Sequence, residues 1–191
     1  MKIALYPGSF NPIHTGHVQL ARSVVNQQLA DEVWMVVSPC NPLKDSGMLQ
    51  DEQHRETMTR LALRDESRLV VSTIEFSMPR PSYTIDTIQR LQHEHPADQF
   101  VLMIGSDNAL IYNQWKDYQQ LLSLVEIYVY PRRGYPVEEA IALYPEMKAL
   151  ETPYYDISST QLREWIRQGR ETDEWLHPDV LQYIRSHELY R

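Results

Sequence analysis

Cysteine, glycine and positive charge are all scarce in this sequence of 191 residues, and each shortage excludes a class of protein. The single cysteine, Cys40, rules out a disulfide framework within the chain and is expected to be a small buried or half-buried residue. The 6 glycines never take the spacings of a GxGxxG dinucleotide fingerprint or of a Walker A loop. Lysine and arginine number 18 against 26 acidic residues, a net charge of −8, which argues against a general nucleic-acid binder.

Long apolar runs are also missing, which argues against a signal peptide and a membrane span. After Lys2 the first apolar run, residues 3–6, stops at Pro7 and Gly8. No later run approaches the roughly 18 residues that a membrane-spanning helix needs. A cytoplasmic protein with no membrane partner and no nucleic-acid partner is therefore expected.

The remaining composition, 42% hydrophobic and 23% charged, is that of an ordinary globular protein. Short β-branched or aromatic runs alternate with helical patterns along the chain. This alternation predicts an α/β fold, a Rossmann-like open parallel sheet flanked by helices, with a small C-terminal helical subdomain. Residues 1–150 form the expected nucleotide-binding core, and residues 151–191 form a helical extension of the same compact domain.

The expected elements can be given by number. The strands are residues 2–6, 32–38, 69–74, 100–104 and 125–130. The helices are residues 17–29, 51–64, 84–94, a broken stretch at 108–122, and 136–147, followed by 160–168 and 178–187. In the second helix Met58, Leu61 and Ala62 take the spacing of a buried face, whereas Arg55 falls on another face.

The densest candidate site is the connection after the first strand, residues 7–17. In an open α/β sheet ligands bind at the carboxyl ends of the strands, and a helix that starts there offers free N–H groups to an anion. Gly8 lets the backbone approach a ligand closely, and Thr15 is the expected N-cap of the helix. His14 and His17 are three residues apart, so both can donate hydrogen bonds to the same phosphate group. The connection therefore predicts a phosphate site.

A second candidate site lies at the start of the expected helix 160–168. Consecutive hydroxyl residues before a helix, here Ser158 and Ser159, ordinarily serve as caps. Arg163 lies one turn into the helix and can fold back to the same N-terminus, where a guanidinium suits phosphate. Two phosphate-binding helix starts in one chain indicate a polyphosphate ligand such as a nucleoside triphosphate.

The end of the fourth strand supplies a third, weaker signal. Gly105 and Asp107 can place the backbone beneath a sugar and a carboxylate on its hydroxyl groups. Trp115 follows in a helical context and can either stack on a ring or pack in the core, of which the core is the better expectation for a lone tryptophan.

These motifs resemble a known superfamily. Residues 8–17 (GSFNPIHTGH) and 157–163 (ISSTQLR) are similar to the nucleotidyltransferases marked by an HxGH motif and an ISSTxxR-like motif. Within that superfamily the chain most resembles the bacterial nicotinate-nucleotide adenylyltransferases, on residues 81–87 (PSYTIDT), 104–107 (IGSD), Trp115, 183–184 (YI) and 189–190 (LY). The resemblance implies transfer of AMP from ATP to nicotinate mononucleotide in NAD biosynthesis, with direct in-line displacement of pyrophosphate and no covalent intermediate.

The resemblance also implies roles for individual residues. The catalytic residues would be His14, His17 and Arg163. The ATP-binding residues would be Gly8, Ser9, Phe10, His14, His17, Gly105, Asp107, Arg132, Ile157, Ser158, Ser159, Thr160 and Arg163. The residues that bind nicotinate mononucleotide would be Asn11, Lys44, Tyr83, Thr84, Trp115 and Lys116. Mg²⁺ would bridge the ATP phosphates without a dedicated protein cage, so no metal ligand is assigned.

The chain departs from the family at a few positions, and other functions remain open. Asn11 stands where the family usually has aspartate, and residues 42–45 read PLKD where the family usually has PPH followed by lysine or arginine. One alternative is a phosphopantetheine adenylyltransferase, because residues 6–10 of this chain resemble the opening of that family. Another is a nicotinamide-nucleotide adenylyltransferase. A cytidylyltransferase would carry a different C-terminal motif, and a non-catalytic nucleotide sensor would have lost a phosphate contact. A homo-oligomer is also left open.

Overall fold

The computed structural model describes residues 1–39 and 49–191, which form a six-stranded parallel sheet with helices on both faces. The strand order is β3-β2-β1-β4-β5-β6. The strands are β1 (Lys2–Gly8), β2 (Glu32–Val37), β3 (Leu69–Ser72), β4 (Gln99–Gly105), β5 (Glu126–Tyr130) and β6 (Lys148–Ala149). The predicted α/β class with an open parallel sheet is therefore confirmed.

Eight α-helices accompany the strands in the described part of the chain. They are α1 (Thr15–Asn26), α2 (Glu52–Ala62), α3 (Thr84–Glu94), α4 (Ser106–Leu110), α5 (Tyr118–Leu124), α6 (Val137–Leu143), α7 (Ser159–Arg167) and α8 (Pro178–Ser186). Two 3₁₀ turns, Ile74–Ser77 and Tyr112–Gln114, complete the described elements. None of these helices is long and apolar enough to cross a membrane.

Several sequence-based boundaries need correction. The stretch 136–147 was predicted as one helix, but α6 ends at Leu143 and the chain then forms the short strand β6. Both residues of β6 are exposed and carry no apolar run, so the sequence holds no strand signal there. The helix after β1 begins at Thr15, and the residue in the N-cap position is His14 rather than Thr15.

The order in which successive strands join the sheet reverses at β1. This strand pairs in parallel with β2 on one side and with β4 on the other. β1 ends at Gly8, opposite Val37 of β2, and β4 ends at Gly105, opposite Tyr130 of β5. The connections that leave these strands diverge to opposite faces, which opens a crevice at the carboxyl edge of the sheet. The motifs identified in the sequence therefore lie at this edge.

Both faces of the sheet are buried, because alternate residues of each strand point to opposite sides. Ile3 and Leu5 of β1 lie in one core with residues of α3 and α5. Ala4 lies in the other core, which also holds Leu162 of α7 and Ile184 of α8. The C-terminal helices therefore pack against the same core as α1 and α2. The division into residues 1–150 and 151–191 stays a prediction.

A substitution in the central strand tests this core. Leu102 is fully buried in β4, so Leu102→Ala is expected to destabilise the protein by about 2–5 kcal/mol, through lost burial and the cavity left behind. Leu143→Ala is the matched control, because that leucine is 60% exposed and should change stability by no more than about 0.5 kcal/mol. Urea unfolding followed by circular dichroism gives both values, and equal effects would contradict the assigned burial.

Candidate active site

A cavity of about 530 Å³ lies at the carboxyl edge of the sheet, between the starts of α1, α3 and α7. Most of the residues that the motifs predicted line this cavity. They come from the connections after β1, β3, β4 and β5 and from the start of α7. These are Gly8, Ser9, Phe10, Asn11, His14, His17, Tyr83, Thr84, Gly105, Trp115, Lys116, Arg132, Ser158, Ser159, Thr160 and Arg163. Asp107 and Ile157 line an adjoining cavity that shares His14, His17, Arg132 and Ser158 with the first.

The two histidines of the first motif form a stacked pair at the start of α1. Their ring centroids are 3.7 Å apart with an angle of 28° between the rings. The backbone N–H of His14 donates to Nδ1 of His17 over 3.3 Å. Because Nδ1 of His17 accepts this bond, the neutral His17 ring carries its proton on Nε2.

His14 is buried, with 4% of its surface exposed, and neither of its ring nitrogens has a hydrogen-bond partner among residues 1–39 and 49–191. Burial, helped by the nearby positive charge of Arg132, lowers the pKa of His14 to about 3. The ring is therefore neutral near pH 7. A buried nitrogen without a partner is costly, which marks this ring as a group that a ligand completes.

The loop between β1 and α1 needs glycine at position 8 and a left-handed backbone at Phe10. Phe10 has a left-handed φ of 45°, and its buried ring lies directly under Gly8. A Cβ atom on Gly8 would approach the Phe10 ring to 2.7 Å, so any larger residue would displace the ring. The Phe10 ring also meets His17 edge-on at 5.2 Å and supports it from below.

The start of α7 faces the histidines across the cavity. The Ser158 side chain caps the helix by accepting from the N–H of Gln161 over 3.2 Å. Ser159 Oγ donates to the carbonyl oxygen of Pro12 over 2.9 Å, so its hydroxyl joins α7 to the first loop. Ile157 is buried and packs against Gly16, where a Cβ atom would lie 2.9 Å from its methyl group. The two predicted phosphate motifs are therefore in direct contact.

Arg163 extends from α7 back toward the same loop, as its position one turn into the helix predicted. Its Nη1 donates to the carbonyl oxygen of Asn11 over 2.8 Å, and its Nη2 donates to Thr160 Oγ1 over 3.2 Å. Its Nε atom is buried without a partner in the described part of the chain. Burial lowers the pKa of Arg163 from its usual value, but an arginine stays charged near pH 7.

The end of β4 carries an ion pair rather than an open carboxylate. Asp107 Oδ1 lies 3.8 Å from Nε of Arg132, whose guanidinium rests over the ring of Tyr130 at 5.4 Å. The Asp107 side chain folds over Gly105, where a Cβ atom would lie only 2.3 Å from Oδ1. Glycine at position 105 therefore leaves room for this carboxylate at the mouth of the cavity.

The opposite end of the cavity is formed by the start of α3 and the connection after β4. Tyr83 precedes α3 in an extended conformation, and its own side chain makes no capping hydrogen bond to the N–H groups of the first turn. Lys116 donates from Nζ to both oxygens of Asp86, at 3.0 and 2.9 Å, and lies 4.9 Å over the Tyr83 ring. Trp115 packs on Tyr112 of the core, the better expectation from the sequence, and it also lines the cavity; its stacking on a ligand ring stays a prediction.

Two residues predicted to bind nicotinate mononucleotide need comment. The side-chain oxygen of Asn11 accepts from the Tyr190 hydroxyl over 2.8 Å and from the N–H of Gln50 over 3.3 Å, so it already serves contacts within the protein. Lys44 lies outside the described residues, and so does Cys40.

Arg55 of α2 is a buried charge that was not expected from the sequence. It was predicted on a face other than the apolar one, but it is fully buried. The buried positions of α2 are Arg55, Met58, Thr59 and Ala62, which is the i, i+3, i+4, i+7 spacing of one helix face. That spacing was a usable signal, hidden because arginine does not count as apolar.

The guanidinium of Arg55 binds four backbone carbonyl groups of two connections, the one after β1 and the one between β2 and α2. Nη1 donates to Ser9 over 2.8 Å and to Ser38 over 2.7 Å. Nη2 donates to Pro39 and Nε donates to Gln50, each over 2.9 Å. Arg55 therefore ties the phosphate loop after β1 to the end of β2 and to the start of α2.

Comparison with known proteins identifies the same family that the sequence motifs indicated. A family model described as cytidylyltransferase-like matches residues 5–165. A probable nicotinate-nucleotide adenylyltransferase of Flavobacterium johnsoniae is 38% identical over 192 residues, which cover the whole of this chain and the whole of that protein. A probable nicotinate-nucleotide adenylyltransferase of Bacteroides fragilis is 40% identical over 183 residues, 96% of this chain and 90% of that protein.

Solved structures show the same fold. The Plasmodium falciparum nicotinic acid mononucleotide adenylyltransferase complexed with NaAD matches with a TM-score of 0.85 and 22% identity, over 99% of this chain and 97% of that one. The Plasmodium falciparum nicotinic acid mononucleotide adenylyltransferase complexed with APC matches with a TM-score of 0.83 and 22% identity, over 99% and 96% of the two chains. The Rossmann-like architecture is confirmed by this similarity.

The role of Arg55 can be tested by its removal. Arg55→Met should lower the free energy of unfolding by about 3 kcal/mol or more, because four carbonyl groups, one buried and three partly buried, lose a fully buried donor. Arg60→Met, on the exposed face of the same helix, breaks only a surface pair with Glu56 and should cost no more than about 0.5 kcal/mol. Urea unfolding of both variants measures the difference, and equal losses would contradict the assigned role.

The burial of His14 predicts a pH dependence of stability. Between pH about 6.5 and about 3 the unfolded chain binds a proton at His14 that the folded protein does not, so protonation favours unfolding as the pH falls. The wild-type protein should therefore lose stability relative to His14→Gln by up to about 1.4 kcal/mol per pH unit below pH 6. Urea unfolding of both proteins between pH 7 and pH 5 tests this, and parallel profiles would contradict it.

Proposed function

The chain belongs to the cytidylyltransferase-like family and, within it, to the nicotinate-nucleotide adenylyltransferases, and we propose that it transfers AMP from ATP to nicotinate mononucleotide. The products are nicotinate adenine dinucleotide and pyrophosphate, and the reaction serves NAD biosynthesis. One observation of the structure carries the proposal. The starts of α1 and α7 meet in one cavity, with stacked histidines on one side and Arg163 on the other.

The proposed reaction is a direct displacement at phosphorus. An oxygen of the 5′-phosphate of nicotinate mononucleotide attacks the α-phosphorus of ATP and forms the new P–O–P bond. The bond from the α-phosphorus to its bridging oxygen breaks, and that electron pair leaves with pyrophosphate. No protein nucleophile is required, so catalysis consists of positioning and of stabilising the charge that develops on the phosphate oxygens.

His14 and His17 are proposed to stabilise this charge. The neutral ring of His14 can donate one N–H and Nε2 of His17 can donate another, and both rings stack at the N-terminus of α1, whose own N–H groups favour an anion. A neutral donor already held in place needs no reorganisation when the charge develops, which is the condition for strong transition-state stabilisation. Burial keeps His14 neutral beside Arg132, so the two groups do not repel each other in the free enzyme.

The start of α7 is proposed to hold the leaving pyrophosphate. Arg163 supplies the fixed positive charge, and the first N–H groups of α7 point to the same space. Thr160 Oγ1 and the backbone around Ser158 and Ser159 complete the contacts. Ser159 acts mainly through its backbone and lone pairs, because its hydroxyl proton is already donated to Pro12.

The adenosine part of ATP is proposed to bind at the ends of β4 and β5. Gly105 gives the backbone room to lie under the ribose, and the carboxylate of Asp107 can accept from its hydroxyl groups. Arg132 and Ile157 border the adenine side, together with the backbone of Gly8, Ser9 and Phe10 on the phosphate side. In the free enzyme Arg132 keeps the Asp107 carboxylate close to this position.

The nicotinate mononucleotide is proposed to bind between the start of α3 and Trp115. Trp115 offers its face to the pyridine ring, and the first N–H groups of α3 at Thr84 favour the nicotinate carboxylate over a neutral amide. Tyr83 and Lys116 form the wall behind this site. Asn11 would act at the substrate phosphate through the loop that it holds, and Lys44 would bring a cation to that phosphate.

Mg²⁺ is proposed to reach this site with the nucleotide. The groups around the phosphate end of the cavity are N–H, hydroxyl and guanidinium donors, which bind phosphate oxygens and not a metal ion. In residues 1–39 and 49–191 no group of three or more histidine, cysteine, aspartate or glutamate side chains is placed to hold one. When bound to the ATP phosphates the ion offsets part of their negative charge. The chain is proposed to act in the cytoplasm.

The substrate can be identified by a pyrophosphate-release assay. The purified protein is supplied with ATP and Mg²⁺ and with one acceptor at a time: nicotinate mononucleotide, nicotinamide mononucleotide or phosphopantetheine. Nicotinate mononucleotide should give the highest kcat/KM, because only its carboxylate matches the free N–H groups of α3. Release with phosphopantetheine alone would overturn the proposal, and a higher kcat/KM with nicotinamide mononucleotide would overturn the assigned preference.

The histidine pair gives a second test. His17→Ala removes one donor to the developing charge and should lower kcat about 100-fold or more while the protein stays folded. His93→Ala is the matched control, because His93 is exposed in the last turn of α3, away from the cavity, and its kcat should stay close to wild type. A His17→Ala variant with near-normal kcat would contradict the phosphate site.

A further inference from the structure

Glu75 is a buried carboxyl group in the wall of the cavity, and the proposed reaction does not use it. It lies in the 3₁₀ turn Ile74–Ser77, directly after the edge strand β3, and is only 4% exposed. Its neighbours in the cavity wall are Ser82 and Thr84. A carboxyl group taken out of water in this way is costly unless its oxygens are hydrogen-bonded, so its partners indicate what it is for.

The partners of Glu75 are three hydroxyl groups, of which Ser38 follows β2 and the other two flank one short segment. Oε2 accepts from Ser82 Oγ over 2.8 Å, and Oε1 accepts from Thr87 Oγ1 over 3.0 Å. Both donors are buried as well. Ser82 comes before Tyr83 and Thr84, and Thr87 comes one turn after them. The carboxyl group therefore holds both ends of the segment whose free N–H groups open α3.

A second, independent contact holds the same segment from outside. Lys116 bridges from the connection beside Trp115 to Asp86, and its charge lies over the Tyr83 ring. These groups are about 40% exposed, so water weakens the pair. The bonds to Glu75 are shielded from water, so they contribute more to the position of the segment than the exposed bridge does.

We propose that Glu75 is a positioning residue that sets the affinity for nicotinate mononucleotide by fixing the start of α3 against the cavity. This inference rests on the proposed function, in which Thr84 and Trp115 receive the nicotinate ring and its carboxylate. Glu75 acts through Ser82 and Thr87 and needs no contact with the substrate. Its loss removes the acceptor of the buried Ser82 hydroxyl and leaves the Thr87 hydroxyl with only the carbonyl oxygen of Tyr83 and the sulfur of Met78, so the first turn of α3 is free to move. In the described part of the chain the hydrogen bonds of Glu75 come from Ser38, Ser82 and Thr87 and none comes from α7, so ATP binding should change less than nicotinate mononucleotide binding.

The proposal predicts that loss of Glu75 changes KM for nicotinate mononucleotide more than KM for ATP. Glu75→Ala should raise KM for nicotinate mononucleotide about tenfold, the equivalent of one lost net hydrogen bond, with little change in KM for ATP. Glu75→Gln keeps the shape and one acceptor oxygen, so it should recover most of this loss. Ser77→Ala, at the exposed end of the same 3₁₀ turn, is the matched control and should leave both KM values unchanged.

A double-mutant cycle keeps the test decisive if Glu75→Ala folds poorly. Thr87→Val removes one of the donors, so Glu75→Gln and Thr87→Val disturb the same contact. Their combined effect on KM for nicotinate mononucleotide should be clearly smaller than the product of the single effects. Independent, multiplicative effects would overturn the proposal, and so would equal rises in KM for both substrates.

Failure of this proposal can be distinguished from failure of the proposed function. Turnover of nicotinate mononucleotide by the wild-type enzyme tests the function, whereas only the ratios between variants test Glu75. Calorimetric titration of nicotinate mononucleotide into wild-type and Glu75→Gln protein measures affinity without turnover. Wild-type binding that weakens in Glu75→Gln by a few-fold, and further in Glu75→Ala, supports the role. Unchanged binding in both variants overturns it.

Discussion

The geometry of the cavity depends on one buried guanidinium. Arg55 is the largest of the fully buried side chains described in this protein, and it donates to carbonyl groups that follow β1, follow β2 and precede α2. Without a donor between them, these carbonyl dipoles would face one another in a space closed to water. A planar group with several donors can satisfy them together, which lysine could not do. The phosphate loop thus has a fixed shape before any ligand arrives.

Electrostatics in the site are arranged locally, which explains how a chain of net charge −8 can bind polyanions. The positive potential comes from two helix N-termini and two arginines, and not from a basic surface. Burial keeps His14 neutral, so the free cavity does not collect a further unbalanced positive charge. The acidic groups in the cavity wall also have partners within the protein. Asp107 is paired with Arg132, and Glu75 accepts hydrogen bonds from hydroxyl groups. The acidic surface elsewhere does not oppose binding, because water and salt screen it.

Most of the fold could be predicted from the sequence, since the strands buried on both faces read as continuous apolar runs. The sequence did not reveal β6, because two exposed residues at a sheet edge need no apolar pattern. The motifs located the cavity, since the ends of parallel strands meet at one edge. Sequence could not show which polar atoms are occupied inside the protein: Asn11 Oδ1, Ser159 Oγ and Lys116 Nζ each have partners within the chain. The burial of Arg55 was readable from its spacing on α2, but its partners, like those of Glu75, are set only when distant segments meet.

The contact between Tyr190 and Asn11 has a consequence for how the protein is made. The Tyr190 hydroxyl and the Asn11 side chain are 179 positions apart, yet they form a buried hydrogen bond beside the phosphate loop. A ribosome therefore synthesises the loop 179 residues before its partner. The parallel sheet can pair strand by strand as it emerges, but the loop gains this support only after residue 190 has left the exit tunnel. A nascent chain stalled before that point would carry an assembled nucleotide fold around an unfinished catalytic loop.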